Sequence, residues 1–261
     1  MKKLFVLMIA AAMAFTACEK KPQPTPTPGP GPDDEPDPEP TYVQPITIDG
    51  DFADWAKLPA ANVASAKSDA ASPWDAINEI RVYADDFFIF YYLEYNNSKI
   101  ADLLAAASGE KTNSEGVVEK IGLPIRLNIN TDGEFESGYK SYSLDGYDFI
   151  IEGSLAEDGA WKSFDGTLHQ RIGSWTALQE GGLCTGAGNG NKYEICLPRD
   201  IFNAAAAKSE VVMLMGDEFQ TGVRFYTPDW GELGNMPDGA VTDDNTKGWG
   251  HLLTIQTVHV E

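Results

Sequence analysis

The segment Arg224-Phe-Tyr-Thr-Pro-Asp-Trp-Gly231 puts a guanidinium, a phenol and an indole into one short stretch of chain. Pro228 and Gly231 mark a loop around Trp230, where packing alone does not require so large a ring. Sugar recognition in water uses such material. Aromatic planes cover the apolar faces of pyranose rings, and carboxylates, amides and guanidinium groups satisfy the hydroxyls. Trp230, Tyr226 and Arg224 are therefore candidates for a carbohydrate-binding surface, with Trp249 further along the chain and Trp74 following Ser72-Pro73 in a polar loop. Each indole could equally anchor its own loop. Trp161 and Trp175 lie beside strand-like segments and read as packing residues.

Other residues could hold ions or form bonds. Asn130-Thr-Asp-Gly-Glu134 is a reverse turn that also offers alternating oxygens. Hard oxygen ligands of this kind suit Ca²⁺, with Asn130 and Asp132 as candidate metal ligands and Asp148 as a further one from the next strand. A plain turn accounts for the same residues. The run Gly181–Lys192 lacks the spacing of a phosphate loop and reads as the loop of a hairpin flanked by Cys184 and Cys196. In an oxidising compartment these two could close that hairpin as a disulfide, or remain two thiols. His169, His251 and His259 sit in no nucleophile signature, and no motif selects an acid–base pair among 40 acidic side chains. The expectation is a chain without catalysis.

Such residues need elements to position them, and the pattern is mostly β. Glu79–Asp85 alternates, Phe87–Tyr95 is aromatic and β-branched, and Asp85-Asp86 is a tight turn between them. Strands are predicted at 121–129, 147–153, 161–164, 167–172, 176–179, 192–197, 211–216, 222–226 and 251–260. Pro124 argues for an edge or a bulge in the first of these. Two short helices are predicted, Ser98–Ala107 with Ser98 as its cap and Pro198–Ala207 with Pro198 at its first position. The fold class expected is all-β, a β-sandwich of one domain over residues 44–261.

The chain has 261 residues and a formal net charge of −21. That charge argues against nucleic acid as a partner. Residues 1–17 read as a signal peptide, with Lys2 and Lys3 before a short apolar run. Phe15-Thr-Ala-Cys18 resembles a bacterial lipobox, which implies cleavage and lipidation of Cys18. Residues 18–43 then form a linker. Nine of the 16 prolines fall between Pro22 and Pro40, so this stretch favours an extended polyproline form reaching on the order of 60 Å. Membrane contact is expected through the lipid anchor only, because so negative a body is not drawn to an anionic bilayer. A lipidated cysteine followed by a Pro- and acid-rich stalk resembles outer-membrane lipoproteins of Bacteroides-type bacteria. That resemblance implies a cell-surface or periplasm-facing location and outer-membrane protein partners.

Several segments together resemble family 9 carbohydrate-binding modules and the related DOMON-like sandwiches. They are Ile46-Thr-Ile-Asp-Gly-Asp-Phe-Ala-Asp-Trp55, the stretch Ile80–Tyr92, Leu127–Tyr139 followed by Gly146–Glu152, Tyr193-Glu-Ile-Cys-Leu-Pro198, and Gly250–Ile255. The resemblance implies a jelly-roll-type sandwich, glycan or polysaccharide as ligand and structural calcium. It also implies a sugar ring held between two indoles. The stretch Gly109–Lys120, where the first would stand, has no aromatic residue. Only the second partner has candidates, Trp230 or Trp249. An adhesin or a structural subunit of an outer-membrane complex is the other class of function the chain supports.

Overall fold

The computed structural model describes residues 42–69, 74–133, 138, 146–170, 176–206, 215–237 and 252–260. The expected signal segment, Cys18 and the Pro-rich stretch lie outside the described residues. Tyr42–Glu261 form one compact unit. Its strands and helices in chain order are β1 (Ala64–Lys67), β2 (Ile77–Ala84), β3 (Phe88–Tyr95), α1 (Asn97–Ala106), β4 (Glu110–Thr112), β5 (Val118–Lys120), β6 (Gly122–Asn130), β7 (Phe149–Glu157), β8 (Ala160–Gln170), β9 (Thr176–Glu180), β10 (Thr185–Asn189), β11 (Lys192–Pro198), α2 (Asp200–Ala206), β12 (Glu218–Tyr226), β13 (Glu232–Met236) and β14 (Leu253–Gln256). The chain is an all-β sandwich. One sheet runs β1-β2-β3-β11-β10 and the other β13-β12-β6-β7-β8-β9, with β14 also on β12 and β4–β5 a separate hairpin.

The two inner faces alternate as expected of a two-layer core. Ile80, Val82, Tyr91, Leu93, Tyr193 and Ile195 of the smaller sheet meet Ile125, Leu127, Ile151, Leu168, Val223 and Phe225 of the larger. Tyr91 crosses the core to hydrogen-bond Thr221 at 2.8 Å, so the buried phenol is satisfied.

The run Phe87–Tyr95 does not alternate, because the smaller sheet is covered on both faces. Its outer face carries Tyr83, Phe90, Tyr92 and Cys196, and Ile46 and Trp55 close over them. The covering segment is pinned by Glu194, a fully buried carboxylate on the outer face of β11. One oxygen accepts from the backbone N–H groups of Asp49 (3.0 Å) and Gly50 (2.9 Å), and the other from the Trp55 indole N–H (3.3 Å). Trp55 thus lies on the outer face of the smaller sheet. Asp51 caps the 3-10 turn Phe52–Ala56, and Asp54 accepts from Thr47 N–H and pairs with Lys57 at 2.7 Å.

Several expectations are corrected in detail. Asn96 rather than Ser98 caps α1, accepting from Ser98 N–H at 3.0 Å. Pro198 ends β11 opposite Phe88 instead of opening a helix. Of the two expectations for Pro124 the bulge holds and the edge strand does not, since β6 pairs with both β12 and β7 and its register shifts between Gly122 and Pro124. It sits at a register shift against β7, one residue beyond the β12 ladder that ends at Ile125, so its missing N–H breaks no regular bond. The expected strand at 211–216 lies largely outside the described residues.

The Gly-rich run is a strand, not a loop. Gly186 and Gly188 of β10 pair with Ile195 and Tyr193. A Cβ on Gly188 would come within 2.5 Å of Trp161 and 2.6 Å of Tyr193, and one on Gly186 within 2.5 Å of the Tyr193 hydroxyl. Glycine is what lets β10 close onto β8. The same strand settles the cysteines. Thr185 faces Cys196 in register, so Cys184 and Cys196 project from opposite faces of the sheet. Both are free thiols, and no disulfide joins them. Burial pushes each thiol up to about 12, which keeps them protonated and unreactive near neutrality.

Burial also raises the Glu194 carboxyl above its ordinary value. The native state then holds that proton more tightly than the unfolded chain. Its contribution to stability is therefore greatest in acid and is lost as pH rises through the folded value. Glu194→Gln removes that slope. It also turns an amide N–H toward the Trp55 N–H, at a cost of about 1–3 kcal/mol. Denaturant unfolding of both proteins across acid to neutral pH reads both effects, and a mutant as stable as the parent with the same pH slope would refute the assignment.

Candidate functional site

Trp230 stands at the turn between β12 and β13. The turn is closed by Thr227 N–H to Gly231 O at 2.8 Å and Trp230 N–H to Thr227 O at 2.8 Å. The Thr227 hydroxyl bonds the Gly231 carbonyl at 3.1 Å and the Asp229 carboxylate. That hydroxyl holds the Asp229 carboxyl below its ordinary value. Inside this frame Trp230 adopts φ +67°. A left-handed backbone costs a non-glycine residue about 1–2 kcal/mol, and such strain persists only where surroundings enforce it, commonly at binding sites. The indole is 41% exposed.

Its support is built from the outer face of the larger sheet. Tyr226 lies 5.4 Å from Trp230 between ring centroids, tilted at 51°. The Arg126 guanidinium sits 5.1 Å from the Tyr226 ring and 5.7 Å from the Trp230 ring, within reach of a cation–π contact to both. Arg126 donates from Nε to Glu152 at 2.5 Å. Arg224, nearly buried, donates to the Asn235 carbonyl at 2.9 Å and to Glu232 at 3.4 Å. Asn235 returns a bond to Glu232 at 3.0 Å. The Tyr226 hydroxyl is buried with no partner among the described residues, and burial raises its pKa against the opposing pull of the two arginines. An exposed ring thus borders a row of guanidinium, carboxylate and amide groups. Chemically this surface can stack on one face of a flat apolar patch and bond hydroxyls at its rim.

The expected site residues divide. Trp230, Tyr226 and Arg224 come together. Trp74 does not join them. It packs over Gly234 and Ile77, where a Cβ on Gly234 would meet its Cβ at 3.0 Å. Gly234 pairs with the core residue Phe225, so Trp74 lies on the inner side of β13 and Trp230 on the outer. Trp249 lies outside the described residues, as do Trp175 and His251. Trp161 packs against Tyr95 and Tyr193, at 5.8 and 5.2 Å between centroids. Arg126, Glu152, Glu232 and Asn235 were missed. Their one signal is the register that sets Arg126 opposite both Arg224 and Glu152, and no local pattern in the sequence reveals it.

At the other candidate centre, Asn130 accepts from Gly133 N–H at 2.8 Å. Asp148 takes both the amide and the hydroxyl of Thr131 at 2.7 Å. Burial raises the Asp148 carboxyl to about 6. Asp132 is exposed. Two of the supposed ligands therefore spend an oxygen on the turn itself, and no cluster of three His, Cys, Asp or Glu side chains arises among the described residues. A groove of about 680 Å³ shares Thr227, Pro228 and Asp229 with the Trp230 turn and runs on to Leu103, Ala106 and Leu233.

Comparison with family models, with curated proteins and with solved structures returns no match for this chain. Glycine is at ease at φ +67°, so Trp230→Gly relieves the turn while losing the ring contact with Tyr226. The two effects offset, and its unfolding free energy should stay within about 1 kcal/mol of the parent. A larger loss in denaturant unfolding would make Trp230 a packing residue.

Proposed function

We propose that the chain is a non-catalytic glycan-binding module, held at the outer membrane by a lipid on Cys18. The observation that carries the reading is the exposed indole of Trp230, kept in a strained turn against Tyr226 and Arg126, with Glu152 bonded to Arg126 and with Arg224, Asn235 and Glu232 bonded together on the same sheet face. A ring needed only for packing gains nothing from that backbone or from solvent exposure. The resemblance to family 9 modules points the same way. So does a stalk that carries a binding surface away from the bilayer.

A second reading has its own observation. Val117 and Val118, at the β4–β5 hairpin, are 52% and 59% exposed. Adjacent apolar side chains in water suit a protein contact, as in an adhesin or a subunit of an outer-membrane complex.

A glycan array followed by titration separates the two. Binding of one or more glycans in the micromolar to millimolar range, reduced about tenfold or more in folded Trp230→Gly, supports the first. Silence across the array, with protein partners recovered in a pulldown that Val118→Asp abolishes, favours the second. Membrane fractionation tests the anchor: Cys18→Ala should release the protein. A structural calcium at Asn130, Asp132 and Asp148 belongs to the same proposal. A chelator should then lower the melting temperature, because a ligand of the folded state alone adds stability. An unchanged melt removes the ion.

A further inference from the structure

Helix α1 presents Lys99, Asp102, Leu103 and Ala106 to the groove of about 680 Å³ beside the Trp230 turn. Their spacing of three and four residues puts them on one helix face. Ala76, Ile121, Pro228 and Leu233 join Leu103 and Ala106 in an apolar lining, and the volume is that of a cleft for a small ligand. The charges of the lining answer one another. Lys99 pairs with Asp75 at 3.0 Å, and Lys111 adds its field to the Thr227 bond that lowers the Asp229 carboxyl. Asp102 remains, exposed at the rim. The one neutral polar side chain of the lining, the Thr227 hydroxyl, is taken up by Asp229 and the Gly231 carbonyl. A pyranose in this groove would set its hydroxyls against hydrocarbon with little to bond. What fits is an uncharged hydrocarbon group.

We propose that the groove is a subsite for an uncharged acyl chain or aryl ring carried by the glycan that stacks on Trp230. The ligand is then a glycoconjugate rather than a bare polysaccharide. The proposal rests on the glycan reading above. The two parts of the site share one wall, since Thr227, Pro228 and Asp229 line the groove and the same turn frames the indole. The bond from Trp230 N–H to Thr227 O makes residues 227–230 a β-turn, whose ends lie within about 7 Å of each other, so one ligand can straddle it.

The test uses protein carrying Cys18→Ala, so that no acyl chain of its own competes, and the uncharged fluorophore N-phenyl-1-naphthylamine. The fluorophore should brighten on binding the groove. Octyl β-glucoside, below its micelle concentration, should displace it at a concentration lower than methyl β-glucoside requires by about tenfold or more, because each buried methylene adds affinity. Ala106→Arg brings a guanidinium into the groove from an exposed position of α1, and should weaken both the fluorophore and octyl glucoside by about tenfold or more. The subsite is overturned if the fluorophore stays dark, if folded Ala106→Arg binds it unchanged, or if the two glucosides compete equally. Should Ala106→Arg fail to fold, the ratio between the two glucosides decides alone. If array glycans bind while the fluorophore stays dark, the subsite falls and the glycan reading stands. If octyl glucoside displaces the fluorophore while every array glycan is silent, the glycan reading falls and the hydrocarbon subsite stands without a sugar.

Discussion

One buried carboxylate organises the amino-terminal half of the domain. Glu194 sits on the outside of a sheet whose inside is already filled, where an uncompensated charge would be expensive. It is tolerated because three N–H groups converge on it, two from the Asp49-Gly50 backbone and one from the Trp55 ring. Those bonds fix where residues 46–58 lie. Residues 46–58 in turn bury Tyr83, Phe90 and Tyr92, aromatic rings that would otherwise face water. The smaller sheet therefore behaves as the middle layer of a stack, with a core on either side.

That asymmetry leaves the larger sheet to carry polar chemistry. Its outer face bears Arg126, Glu152, Arg224 and Asn235 in place of apolar residues. A sheet can present such a row only when the opposite face has satisfied the hydrophobic requirement, as Leu127, Ile151 and Val223 do here. The Trp230 turn sits at the end of that row, and its backbone strain is sustained by hydrogen bonds from Thr227 rather than by packing. Rigid sheet below and an enforced turn above give the indole a fixed orientation without burying it.

The fold class was legible because alternation and turn residues are local signals. The β2–β3 hairpin, β11 and β12 were all read from short windows. What failed was non-local. Gly186 and Gly188 look like a loop until Trp161 and Tyr193, distant in sequence or across the ladder, are seen to need the space. Cys184 and Cys196 look like partners until the register sends them to opposite faces. Trp74 and Trp230 are both candidates for one sugar-binding surface until β13 is found between them. In the candidate site, aromatic and basic residues close together in sequence were found. The partners that set their charge, Glu152 and Arg126, come from strands far earlier in the chain and carry no motif.

Tyr42 is the first residue of the described body, its hydroxyl donating to Asp85 at 2.8 Å and its ring packing on Phe87 and Phe88, and the cover formed by residues 46–58 follows it. Any tension on the amino end of this domain enters through Tyr42 and then that segment. The load falls first on Tyr42, held to Asp85 and Phe87, and then on three hydrogen bonds at Glu194 and on the indole seated over Tyr92, before it reaches the ladders of the sandwich. Those contacts would give way in succession and peel the strap away, while the larger sheet with its Trp230 surface stays assembled behind it. The domain is thus mechanically divided: an outer layer through which a pull arrives, and the sandwich body behind it.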